Sequence, residues 1–263
     1  MSGTGLGFVA RTGTPEAVVR AAGREAEAAG LAGLWANNPP GGDGLTPNRW
    51  AAEETSWIGL GTGVVPVSAH PAAEIASRLT ELDLPRDRYR LGLGSGSGPH
   101  PRRRVAEALD VLRASGYELV VGALGPGMCR LAGEAGDAIL LSGVDPRVAR
   151  ESGGLAREAA EAAGRRPPRV YAGVLFALGP GAADRLRDAT AFVAGLPQYV
   201  AHYERTGLRP EDTVVPAEDA AELADRLARW RGVVDELVLT PIVEPEGLTG
   251  LLETAAGAWA ASA

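Results

Sequence analysis

Tyr89-Arg90-Leu91-Gly92-Leu93-Gly94-Ser95-Gly96-Ser97-Gly98 runs from a short apolar stretch into a glycine-rich turn, and Val120-Val121-Gly122-Ala123-Leu124-Gly125-Pro126-Gly127 repeats that arrangement one unit later. Each turn leads into a stretch of helical period. A strand that ends in glycines and opens a helix lets backbone N–H groups and a helix N-terminus approach a phosphate without obstruction by Cβ atoms. Two such units in succession place the chain among the parallel α/β folds and imply a phosphorylated cofactor.

The same rhythm extends outward to both ends. Strand-like runs cover Gly5–Ala10, Ala32–Ala36, Ile58–Val65, Tyr89–Leu93, Glu118–Val121, Ala138–Leu141, Val170–Leu178 and Glu236–Leu239. Helical patterns separate them, at Pro15–Ala29, Pro71–Leu82, Arg103–Ser115, Met128–Glu134, Arg147–Ala163, Ala182–Ala194, Gln198–Thr206, Ala217–Trp230 and Gly247–Trp259. Eight strands followed by helices in 263 residues predict an α/β chain folded as one (β/α)8 TIM barrel over residues 1–263, rather than a doubly wound sheet. Chemistry in such barrels sits at the carboxyl ends of the strands, which directs attention to Arg11, Asn37, Asn38, Gly63, Val64, Gly94–Ser97, Gly122–Gly125, Ser142 and Pro241.

Composition removes several classes of chemistry. Every basic residue is Arg and the net charge is −7. Without Lys there is no Schiff-base aldolase, no pyridoxal-phosphate aldimine and no Walker-type phosphate lysine. One cysteine, Cys129, and three histidines without metal-ligand spacing predict no metal site. The acidic balance argues against nucleic acid as a partner, and short, interrupted apolar runs against a membrane span. The expectation is a cytoplasmic protein acting on a small-molecule or peptide substrate.

Several stretches leave two readings open. Asn37 and Asn38, in Trp35-Ala36-Asn37-Asn38-Pro39-Pro40-Gly41-Gly42-Asp43, suit either orientation of a heterocycle or plain turn chemistry. Gly59-Leu60-Gly61-Thr62-Gly63-Val64-Val65-Pro66 puts three glycines in a core strand, which marks a bulge beneath something flat or a tight barrel corner. Arg102, Arg103 and Arg104 open a helix, where an anion would offset their opposition to the dipole and where a solvated basic face is the alternative. His70 reads as a loop-holding residue, His202 as packing or surface, and Cys129 as a small buried hydrophobe.

These stretches, in this order, resemble the luciferase-like family of flavin- and coenzyme F420-dependent barrels. The likeness covers nearly the whole chain and is carried by Gly59–Pro66 through His70-Pro71, by Asp87–Gly96, by Val121–Met128 through Leu131–Asp137, and by Val234–Pro241. It implies a bulge at Thr62, Gly63 and Val64, often with a non-proline cis peptide, backing the cofactor ring. It also implies that Gly94, Ser95 and Gly96, with Gly122, Ala123, Leu124, Gly125 and Pro126, surround the ribityl chain and phosphate, with Asn37 near the ring. Arg11, Asn38 and Ser97 are the expected substrate-side residues.

The resemblance implies coenzyme F420 as cofactor, with FMN as the alternative. The matching activity is hydride transfer between deazaflavin C5 and an organic substrate, in the sense of C=C or C=N reduction. An FMN-dependent monooxygenase and a cofactor-binding protein without turnover are the rival readings. Two departures stand out. Asn38 and Ser97 occupy positions where the sugar-phosphate dehydrogenase branch has a catalytic His and Glu, and the segment joining the fourth and fifth strands is short, Ser115-Gly116-Tyr117 leading straight to Glu118. The family is often dimeric, so a homodimer is an open expectation.

Overall fold

The computed structural model describes residues 3–39 and 41–262; Pro40 of the asparagine loop lies outside the described residues. Among the described residues there are nine strands: β1 (Gly5–Ala10), β2 (Gly33–Ala36), β3 (Gly59–Pro66), β4 (Tyr89–Gly94), β5 (Glu118–Ala123), β6 (Ala138–Ser142), β7 (Arg169–Leu178), β8 (Val214–Ala217) and β9 (Glu236–Pro241). The helices are α1 (Glu16–Ala28), α2 (Thr46–Glu54), α3 (Ala72–Leu82), α4 (Pro101–Leu112), α5 (Pro126–Ala135), α6 (Pro146–Ala162), α7 (Ala182–Ala194), α8 (Pro197–Thr206), α9 (Ala220–Ala228) and α10 (Leu248–Ala261). β1 to β7 pair in parallel in chain order, β7 pairs with β9, and β9 returns to β1, closing an eight-stranded barrel. The eight expected strands are the eight of the ring. Among the described residues, no helix is long and apolar enough to cross a membrane.

Period-two alternation builds two concentric layers. Leu6 and Phe8, Leu91 and Leu93, and Leu237 and Leu239 point outward into one core shared with the helices. Each such side chain, fully buried, contributes about 1.5–3 kcal/mol. The alternate positions Val9, Trp35, Val120, Leu140, Tyr171 and Val238 point inward and pack with Val64.

Deeper in the barrel lies a polar plug. Trp35 Nε1 donates to Glu236 Oε1 at 2.7 Å and Arg90 Nη1 donates to Glu236 Oε2. The Arg90 guanidinium stands 5.1 Å from the Tyr171 ring centroid and 5.6 Å from that of Trp35. Burial alone would lower the Arg90 pKa; the adjacent Glu236 carboxylate reverses that, and the net direction is upward. The plug explains two of the three glycines of β3, Gly59 and Gly61. A Cβ at Gly59 would stand 2.5 Å from Arg90 Nη2, and one at Gly61 would overlap the Trp35 indole. The flat object against Gly61 is therefore the protein's own tryptophan.

Two elements depart from the sequence reading. The helix expected from Ala217 begins at Ala220, because Val214-Val215-Pro216-Ala217 forms β8 against the outer end of β7. Pro216 cannot donate to a ladder, which suits a strand paired on one side only. Asp219 caps α9 by accepting from Ala221 N and Glu222 N, both at 2.9 Å. The other addition is α2. Asp43 Oδ1 accepts from Leu45 N and Thr46 N, and Pro47 occupies the first turn, so a start signal stood inside a stretch dominated by turn residues. The short connection is confirmed as a single 3₁₀ turn, Arg113–Ser115, reversed at Gly116 with φ +76°.

Candidate functional site

A cavity of about 230 Å³ opens at the carboxyl end of the barrel. Its floor and inner wall are Val9, Trp35, Gly63, Leu140, Gly173 and Val238. The facing wall comes from outside the ring: Thr190 and Val193 of α7, Tyr199 and Tyr203 of α8, and Thr213 and Val214 at β8. Asn37, Ser142, Gly143 and Thr240 stand at the strand exits. No Asp, Glu, Arg, His or Cys lines it among the described residues.

The floor owes its shape to β3. Pairing with β4 runs Leu60 to Tyr89 and Thr62 to Leu91, then resumes at Val65 to Leu93, one residue out of step, and the Gly63–Val64 peptide is cis. The extra residue turns Val64 into the barrel, where a Cβ at Gly94 would stand 2.5 Å from its Cγ2 and one at Gly122 would stand 3.0 Å from its Cγ1. The glycines at the ends of β4 and β5 thus accommodate the bulge. Thr62 faces the opposite way and is fully buried; its Oγ1 donates to Gly44 O at 2.8 Å, accepts from Asn48 Nδ2 at 3.0 Å, and lies 2.7 Å from the Tyr89 hydroxyl. Its side chain anchors the bulge to the α2 loop and leaves the backbone to shape the floor.

Asn37 is oriented by its neighbour. Thr12 N donates to Asn37 Oδ1 at 2.6 Å, so the amide Nδ2 is the end left for a ligand. Asn38 Oδ1 accepts from Gly44 N at 2.6 Å and holds the loop, while Arg11 is exposed at the β1 exit. Of the residues singled out from sequence for cofactor or substrate, Asn37 and Gly63 line the cavity. Ser95, Gly96 and Ser97 on the β4 turn, and Ala123 at the end of β5 with Leu124, Gly125 and Pro126 after it, do not line it.

The three arginines of α4 are taken up by the protein. Arg102 pairs with Glu134 and Arg103 with Glu107, and Arg104 Nη2 donates to Ser95 O and Ser97 O at 3.1 and 2.7 Å. Arg104 is the pin that holds the β4 turn. A different arginine serves the β5 turn: Arg205 Nη2 donates to Leu124 O at 2.7 Å, and a Cβ at Gly125 would stand 3.8 Å from its Nη1.

His202 is buried, with Nδ1 2.8 Å from Leu124 O and Nε2 2.7 Å from Gly143 O. It bolts α8 onto the loops after β5 and β6, which extends the packing role read from the sequence. His70 joins the loop after β3 through its backbone N–H, which donates to Pro66 O. Burial pushes the Cys129 thiol up, as befits an inert buried side chain. Among the described residues, no group of three or more His, Cys, Asp or Glu could hold a metal ion.

The residues sequence reasoning passed over are those of the outer wall. Tyr199 and Tyr203 share one face of α8 at i,i+4 spacing, the only local signal they gave. Burial raises the Tyr199 pKa, the neighbouring Tyr203 adds to this, and the Ser142 hydroxyl works in the other direction.

A closed parallel barrel with its cavity over a bulged third strand belongs to the class of (β/α)8 proteins that bind ligands at the carboxyl ends of their strands. Within that class, the chain belongs to the luciferase-like monooxygenase family, whose model matches residues 6–120 and 115–246. No curated protein sequence matches it. Among solved structures, it resembles a coenzyme F420-dependent tetrahydromethanopterin reductase from Methanopyrus kandleri, with TM-score 0.78 at 17% identity over 96% of this chain and 97% of that one. An F420-dependent secondary alcohol dehydrogenase in complex with an F420-acetone adduct gives TM-score 0.76 at 15% identity, covering 97% and 98% of the two chains. The oxygenating constituent of 3,6-diketocamphane monooxygenase from Pseudomonas putida, in complex with FMN, gives 0.68 at 14% identity and 98% coverage of each.

Proposed function

We propose that this chain is a coenzyme F420-dependent oxidoreductase that transfers hydride between the deazaflavin and an uncharged organic substrate. The observation that carries the reading is the uncharged cavity over the Gly63–Val64 bulge. A planar ring fits that floor. A Cβ at Gly63 would stand 2.7 Å from Leu140 Cδ2, so glycine keeps the floor open where a ring would rest. Higher structural similarity to the two F420-dependent enzymes than to the FMN-bound monooxygenase supports the same choice.

In this reading Gly63 and Val64 back the ring and Asn37 Nδ2 donates to its edge. The β4 turn, Gly94-Ser95-Gly96, and the β5 turn, Gly122 to Pro126, take the ribityl chain and phosphate, with Arg205 as the cation beside them. Arg104, by holding Ser95 O and Ser97 O, fixes the β4 turn in place. When bound, the deazaflavin supplies a two-electron hydride donor or acceptor. The chain supplies position and a dry, uncharged enclosure, and Arg11, Asn38 and Ser97 remain candidates at the outer rim.

Titration of the purified protein with coenzyme F420 and, in parallel, with FMN tests the proposal, read by fluorescence and calorimetry. Saturable binding of F420 with little or none of FMN is the expected result. Preference for FMN assigns a monooxygenase instead, and binding of neither removes the cofactor assignment.

A further inference from the structure

We infer that the outer wall of the cavity selects a neutral substrate bearing a carbonyl or imine, and that the Tyr199 hydroxyl is the hydrogen-bond donor that receives its heteroatom. The word substrate rests on the oxidoreductase reading above; the site itself rests on the two unlike walls of the cavity.

The inner wall has almost nothing polar to offer, since its one polar side chain, Trp35, spends its N–H on Glu236. On the outer wall the threonines are committed as well. Thr190 Oγ1 donates to Leu186 O at 2.9 Å within α7, and Thr213 Oγ1 donates to Pro210 O at 2.8 Å. At the strand exits Asn37 is assigned to the cofactor ring in the reading above, Thr240 and Ser142 carry only small hydroxyls, and the Ser142 hydroxyl is itself a hydrogen-bond partner of Tyr199, so the phenols of α8 are the only ionisable groups among the described residues of the lining. A carboxylate, phosphate or ammonium brought into this space would find no countercharge, and burying an unpaired ion costs several kcal/mol even after relaxation. A neutral heteroatom needs only one donor.

Tyr199 is placed for that role by two packing contacts and by the seating of its helix. A Cβ at Gly143 would stand 3.4 Å from its Cε1, so its ring lies over the glycine, which holds φ +62° at the β6 exit. The Tyr203 ring lies 6.2 Å away on the next turn. His202, three residues along the helix, ties α8 to Leu124 O and Gly143 O and so fixes the height of Tyr199 over the cavity. A phenol keeps its proton through the neutral range at its ordinary pKa and burial shifts it further up, so the hydroxyl has a proton to donate throughout.

Acetophenone and benzoate are the probes, equal in skeleton and different in charge. The absence of lysine keeps the ketone from side-chain Schiff bases. Calorimetry and infrared difference spectra of 13C-carbonyl acetophenone are recorded with and without F420, on the wild type, Tyr199→Phe and Tyr203→Phe. In the wild type, acetophenone binds with its C=O stretch lowered, and benzoate binds more than roughly 100-fold more weakly. Tyr199→Phe weakens acetophenone roughly 3- to 10-fold and abolishes the frequency shift, while Tyr203→Phe preserves it. No acetophenone binding, benzoate binding as well as the ketone, a shift that survives Tyr199→Phe, or one that vanishes only in Tyr203→Phe each overturns the inference. If F420 fails to bind while the Tyr199-dependent shift persists, the oxidoreductase reading falls and this site stands.

Discussion

Gly63 is the residue on which the cavity floor turns. It carries no side chain at the point where β3 slips one residue out of step with β4, and a Cβ there would already press Leu140. Gly63→Leu is expected to fill the floor and weaken F420 binding at least tenfold, about 1.4 kcal/mol or more. Circular dichroism should show the fold retained, because the leucine points into the cavity and away from the helix-facing core. Unchanged affinity in a folded variant would remove the ring-backing role. The neighbouring glycines have separate tasks: Gly59 and Gly61 yield to Arg90 and Trp35, whereas Gly94 and Gly122 yield to Val64. One glycine-rich stretch in the sequence therefore served both the barrel plug and the site, and no local pattern could divide them.

At the scale of elements, α9 shows how a cap defines a boundary. The Asp219 carboxylate takes two orphan backbone donors of the first turn, so the helix starts there and leaves Val214–Ala217 free to pair with β7. Asp219→Ala should cost about 1 kcal/mol of stability, measured by urea denaturation; a midpoint equal to that of the wild type would show that the cap is dispensable. Strong periodicity made the eight ring strands readable, since each alternates between the helix-facing core and the barrel interior. β8 and α2 were hidden for opposite reasons. β8 is short and contains Pro216, and α2 follows a run of Asn, Pro and Gly whose turn chemistry masked the Asp43-based start signal.

Over the whole molecule, burial raises the pKa of Tyr89, Tyr117, Tyr171 and Tyr199 above the ordinary phenol value. In the unfolded chain these phenols ionise near pH 10, whereas in the native state they keep their protons. Their contribution is thus fully present below about pH 10 and is lost as the pH rises beyond it. The urea midpoint should hold from pH 8 to 9 and fall by pH 11; a midpoint constant to pH 11 would contradict the upward shift of these phenols.

The sequence by itself determined the eight-stranded barrel and the short link from Ser115 to Glu118, while the bulge at Gly63–Val64 was left open by the residues and implied only by the family resemblance. The barrel and the link follow from period-two and helical patterns and from glycines placed after strands, all of which are local. Only the tertiary structure decided that Arg90, Trp35 and Glu236 meet in one plug, that Arg104 holds a loop while Arg205 stands at the β5 turn, and that Tyr199 and Tyr203 face Gly63 and Leu140 across the cavity. Arg104 lies only seven residues from Ser97, but the plug pairs and the Arg205–Leu124 contact join residues about 80 to 200 apart in the chain, and those contacts are set by ring closure and by the seating of α8 through His202, which no local spacing encodes.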